Sequence, residues 1–149
     1  MTTVSADRGD DVVSSATLVP PALSGVRASE DRVRARLDEL AGLSDGWDGH
    51  DAKHIDQLAL TLAGRLMQQA LHAGLPEPEV FPVPDGGVQL EWKAGALELE
   101  LEIEPGARAL VFVCDDERSG QRIDGELPRD ESRFGLALAR LNAYAWLTT

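Results

Sequence analysis

Val88-Gln-Leu-Glu-Trp-Lys-Ala-Gly-Ala-Leu-Glu-Leu-Glu-Leu-Glu-Ile-Glu104 is the stretch that decides the fold. Val88, Leu90 and Trp92 alternate with Gln89 and Glu91. Leu97, Leu99, Leu101 and Ile103 then alternate with Glu98, Glu100, Glu102 and Glu104. A strict period of two sends the apolar residues to one face and the polar ones to the other, which is the signature of a half-buried strand. Lys93–Gly95 turns the first strand into the second. Pro105-Gly106 closes the next hairpin, and Leu110–Cys114 supplies a third strand. The reading is an antiparallel β-meander.

Arg122–Leu127 offers a short fourth strand, ended by Pro128. On the upstream side, Pro-Glu-Pro-Glu-Val-Phe-Pro-Val-Pro-Asp-Gly-Gly (residues 76–87) carries prolines at 76, 78, 82 and 84. They exclude a central strand and leave an edge strand or an extended crossover. Further upstream, apolar residues at helical spacing define two helices. Ser29 reads as the N-cap of the first, whose face is Val33, Leu37, Leu40 and Leu43. The second runs from about Ile55 to Ala73. Ile55, Leu58, Leu62, Leu66, Gln69 or Ala70, and Ala73 mark one side, Leu60, Ala63 and Met67 widen it, Asp56 stands at its start and Gly74 at its C′ position. A last helix from Asp130 to Leu147 presents Phe134, Leu138, Leu141, Ala145 and Trp146.

These elements predict an α+β fold. An antiparallel meander of three to four strands carries two N-terminal helices and one C-terminal helix on one face, and the other face is wet. Residues 1–28, rich in Ser, Thr and Gly and interrupted by Pro20-Pro21, read as a flexible tail in which Leu18, Val19 and Leu23 form an apolar patch. Residues 29–149 form the single domain.

The chain has 149 residues, 43% of them hydrophobic and 27% charged. That length buries roughly 70% of the unfolded surface without a disulfide or metal staple. The lone Cys114 fits a reducing interior, no signal peptide is visible, and no apolar run spans a membrane, so a cytoplasmic location is expected. Twelve Arg against two Lys, with abundant Ala, Gly and Leu, suggest a GC-rich bacterial genome. The net charge of −12 repels nucleic acid and anionic membranes and favours a basic protein partner.

Residues 77–126 hold 13 acids and 4 bases, a net −9 of the −12. Glu98, Glu100, Glu102 and Glu104 share one strand face at about 7 Å spacing. Each adjacent pair repels by roughly 0.6 kcal/mol in water. Such a ladder is either a docking surface for a basic partner, a mimic of nucleic-acid charge, or a solvated face that guards the sheet against aggregation. A divalent-cation site there lacks any EF-hand-like loop.

The loop Gly-Trp-Asp-Gly-His-Asp-Ala-Lys-His-Ile-Asp (46–56) is the alternative site. His50 and His54 are four apart and have Asp48, Asp51 and Asp56 nearby, a set that suits a metal-binding protein or a metal-dependent hydrolase. No Glu follows His50 as a zincin requires, and Gly49 places His50 outside a helix. The competing account is a connector in which Trp47 plugs the core and Asp48 or Asp51 caps the next helix. No Gly-x-Ser-x-Gly elbow, P-loop or basic aromatic stripe occurs, Cys114 sits in an apolar strand, and His72 lies near a helix end. No cofactor is expected, and a non-enzymatic interaction module is favoured: an adaptor, an accessory subunit or the acidic partner of a basic protein.

Leu43-Ser-Asp-Gly-Trp-Asp-Gly49, the helix after it and Pro82-Val-Pro-Asp-Gly-Gly-Val-Gln-Leu-Glu-Trp92 resemble a family of small uncharacterised bacterial proteins. Its members carry a GWDG loop and a P-x-P-DGG hairpin ending in Glu-Trp. The resemblance covers residues 37–114 and implies a shared fold. Trp47 and Trp92 belong to the pattern, whereas His50 and His54 do not. The two tryptophans either pack together or, with Asp48 and Glu91, flank a surface groove.

Overall fold

A computed structural model describes residues 21–147. The order is α1 (Pro21–Ala41), α2 (Gln57–His72), β1 (Glu79–Pro82), β2 (Val88–Ala94), β3 (Leu97–Ile103), β4 (Leu110–Asp116), β5 (Gln121–Leu127) and α3 (Glu131–Leu147). The strands form one antiparallel sheet in chain order, β1-β2-β3-β4-β5. The fold is α+β as expected, with five strands where three to four were predicted. β1 is the edge strand that the prolines allowed, and β5 extends the Arg122–Leu127 segment by one residue.

The helices lie on one side of the sheet. Alternation sends Val88, Leu90, Trp92, Leu97, Leu99, Leu101 and Ile103 inward, all of them buried. They meet Leu60, Ala63 and Met67 of α2 and Ala137 and Leu141 of α3 in one core. Phe112 from β4 packs against Phe134 of α3, with ring centroids 5.0 Å apart. Val33 and Leu40 hold α1 in the same core, as their spacing predicted.

Three expectations about the helices change. α1 starts at Pro21, so residues 21–28 are helical and not tail; the rest of the expected tail, with Leu18 and Val19, lies outside the described residues. Proline at a first helical position needs no N–H partner and has a preset φ. Ser29 is therefore inside the helix, where its hydroxyl accepts from Arg32. In α2 the buried side is Ala59, Leu60, Ala63, Met67, Ala70 and Leu71, while Leu58 is 60% exposed. In α3 Trp146 is 77% exposed, because Ala137 and Leu141 set the buried direction.

Helix ends follow their local chemistry. Asp56 caps α2 by accepting from Ala59 N–H. Gly74, at φ +85°, donates to Leu71 O while Leu75 donates to Ala70 O, the paired bonds of a Schellman motif.

Candidate functional site

Among the described residues no helix lies on the second face of the sheet, and the pairing register fixes what it presents. Directly paired residues share a face. Glu79, Glu91, Glu100, Val113 and Asp124 therefore form one row across the five strands. The next row is Phe81, Gln89, Glu102, Val111 and Glu126, and the third is Lys93, Glu98, Asp115 and Arg122. Eight carboxylates thus share this face with two cations, Lys93 and Arg122.

The two cations answer only part of that charge. Lys93 Nζ lies 2.6 Å from Glu91 Oε1, and this contact raises the lysine's pKa. Arg122 spans Asp115 and Asp124 at 3.4 and 3.3 Å. Glu98 and Glu102 have pKa values raised above the ordinary carboxylate range. Partial burial is the first cause for both. The charges of Glu91 and Glu100 add to it at Glu98, and those of Asp85, Glu104 and Glu100 at Glu102. These carboxylates hold their negative charge at a cost that a nearby cation relieves. Oxygens of Glu91, Glu98 and Glu100 come within 4.8 Å of one another, the one such acidic grouping among the described residues.

The ladder therefore joins carboxylates that sequence reasoning had not grouped with it. Glu79, Asp124 and Glu126 enter through the register, as do Val111 and Val113, which lie between the acidic columns of β3 and β5. Alternation within residues 110–116 and 121–127 was the available signal. It says which residues share a face within a strand but not which ones sit side by side.

The groove expected among Trp47, Asp48, Glu91 and Trp92 does not form. Period-two alternation points Trp92 into the core, where Nε1–H donates to Pro76 O at 3.0 Å, and leaves Glu91 on the opposite face. Trp47 is half-buried at the core rim and donates from Nε1 to Lys53 O at 2.8 Å. Lys53 bonds Pro84 near the start of β2, and Trp92 lies about 13 Å further along that strand.

The 46–56 loop links α1 to α2 and is braced by carboxylates at 45 and 48. Asp48 Oδ1 accepts from His50 and Ala52 N–H, and Asp45 Oδ1 accepts from His54 N–H and contacts its Nδ1 at 2.8 Å. His50 is exposed, and among the described residues no three-ligand grouping includes either histidine.

The segment that follows the GWDG loop meets the P-x-P-DGG hairpin of the resemblance in space. Lys53 N–H donates to Pro84 O and Asp56 N–H to Gly86 O. At Gly86, φ +99°, an added Cβ would lie 3.0 Å from His54 O; at Gly87 it would lie 2.6 Å from Ile103 O. Gly86 lets the loop approach the hairpin backbone to backbone, and Gly87 lets the hairpin lie close against β3. Cys114 is buried on the inner face, and burial pushes its thiol pKa up, which suits packing and not reactivity. No helix among the described residues is long and apolar enough to cross a membrane. Comparison of the chain with family models, with curated proteins and with solved structures gives no match.

Proposed function

We propose that this protein is a non-enzymatic interaction module whose open sheet face docks a basic protein, as an adaptor, an accessory subunit or the acidic counterpart of that protein. The observation that carries the reading is the register: among the described residues, Glu79, Glu91, Glu98, Glu100, Glu102, Asp115, Asp124 and Glu126 share the helix-free sheet face with two paired cations, Lys93 and Arg122. A surface of one sign selects a partner of the other and speeds its encounter. It also repels nucleic acid and anionic lipid. The buried free thiol of Cys114 is consistent with a cytoplasmic setting.

The competing account is a metal site at His50 and His54, and among the described residues neither histidine belongs to a grouping of three ligands. Metal analysis of untagged protein checks it. A stoichiometric metal lost in His54→Ala would favour that account.

The test of the docking reading is affinity capture from native lysate at low and high salt, using wild type and the Glu98→Lys, Glu100→Lys, Glu102→Lys variant. A basic protein held by wild type at low salt, and released by salt or by the triple change, supports the reading. Identical capture by both forms removes the sheet face from the account.

A further inference from the structure

The open face is patterned as well as acidic. Viewed across the strands, β3 contributes Glu98, Glu100 and Glu102, β4 contributes Asp115, Val113 and Val111, and β5 contributes Arg122, Asp124 and Glu126. Val111 is directly paired with Glu102 on one side and Glu126 on the other. Val113 is likewise paired with Glu100 and Asp124. Val111 and Val113 therefore form a two-residue aliphatic stripe on the first half of β4 between two acidic rails, ending at Asp115, and Val111 is 38% exposed.

The rails are two strand spacings apart, about 9.6 Å. An α-helix with its side chains is about 10–12 Å across, and adjacent turns along it are about 5.4 Å apart. It can therefore set one apolar stripe on the valines and reach the rails with residues on either flank. An extended segment lying along the strands turns a single column of side chains downward and cannot meet three columns of different polarity.

Entry by strand addition is also hindered. On the β5 edge, Glu126 N–H donates to Asp130 Oδ2, Asp130 N–H donates to Glu126 O, and Arg133 donates to Asp124 O. On the β1 edge Arg36 Nε donates to Val80 O, and Pro82 has no N–H to give.

We propose that the segment docked on this face is an amphipathic α-helix of the partner, with one apolar stripe flanked on both sides by Lys or Arg, lying lengthwise over β4. This rests on the reading of the sheet face as a dock for a basic protein, and it specifies the form of the ligand.

Three synthetic peptides of about 14 residues, roughly four helical turns, make the test. One carries a leucine stripe flanked by lysines; the second has the same composition shuffled to abolish the stripe; the third is oligolysine. Binding is read by fluorescence anisotropy at low and high salt, and peptide helicity by circular dichroism. The patterned peptide is expected to bind about tenfold more tightly than the other two and to gain helix on binding. Val111→Thr with Val113→Thr keeps β-branched residues in the strand and should remove that margin while leaving oligolysine binding unchanged. Equal affinity for all three peptides, abolished by the Glu→Lys triple change, would end the helix proposal and leave the basic dock standing. Failure of every peptide to bind at low salt would overturn both.

Discussion

Asp56 shows how much one side chain can organise. Its Oδ2 accepts from Ala59 N–H at 3.0 Å, capping α2, and from Gly106 N–H at 2.9 Å in the turn after β3. Those backbone donors, Gly106 first, hold its pKa below the usual carboxylate range. A depressed folded-state pKa contributes stability that is present above the ordinary Asp value and is lost as pH falls through the lowered one. Asp56→Ala is expected to cost about 1–2 kcal/mol in urea denaturation at neutral pH. It should also flatten the loss of stability on acidification. An unchanged midpoint would show that the cap and the bond to Gly106 contribute nothing. The cap was legible, because an Asp directly precedes the periodic run. The bond to Gly106 was not, since it joins residues 50 apart in the chain.

Glycine gives a second contrast at this scale. Gly87→Ala would place a Cβ 2.6 Å from the Ile103 carbonyl, against backbone that cannot step aside, and a large fall in Tm is expected. Gly135 in α3 has open space around it, so Gly135→Ala should raise stability by up to about 1 kcal/mol. Thermal denaturation reads both, and a tolerated Gly87→Ala would contradict the close approach. The Asp85-Gly86-Gly87 turn could be read from its residues, but what the glycines make room for required the fold.

Among the elements, α2 was the hardest to orient. Leucines and alanines occur nearly all around it, so helical periodicity alone fits more than one buried direction. The contacts choose: Leu60, Ala63 and Met67 face the sheet and Leu58 faces water. Leu58→Lys is therefore expected to change stability by less than about 0.5 kcal/mol. Met67→Lys buries a charge in the core and should prevent folding. Circular dichroism on the two variants checks the assignment; similar damage from both would overturn it. The strands were clearer because a period of two admits only two choices, and the apolar half must face the helices. Hence Trp92 and Glu91, adjacent in sequence, end on opposite sides of the sheet. For β1 and β5 the difficulty was length and composition: proline and charge weaken the strand signal at edges, and pairing to β2 and β4 supplies what the local sequence lacks.

For the whole molecule, the balance of charge is the governing feature. A chain at −12 with eight carboxylates on one face carries self-repulsion that salt screens. Raising ionic strength is expected to raise Tm. Glu98→Gln, Glu100→Gln and Glu102→Gln together should raise Tm at low salt and reduce its salt dependence. A triple variant less stable than wild type at low salt would show that these carboxylates are held by favourable contacts. The pH direction follows from the raised pKa values of Glu98 and Glu102. As pH falls into the range between the raised and ordinary Glu values, the folded state binds protons before the unfolded chain does. Stability contributed by these two groups therefore increases there, opposite in sign to that from Asp56. The glutamate column was readable from sequence, whereas its neighbours Val111, Val113, Asp124 and Glu126 depended on register, a property of pairs of strands.

The sequential strand order has a consequence for how the chain acquires its structure. Every strand pairs with its neighbour in the chain, so the sheet assembles from hairpins with short loops to close, and low sequence separation favours rapid folding. The cover of its inner face arrives unevenly. α1 and α2 precede the strands, whereas Ala137 and Leu141 lie in α3, after all of them. During synthesis, the Phe112 and Leu101 side of the nascent sheet is left without its α3 partner until that helix has emerged, and this interval is when the protein is most vulnerable to aggregation.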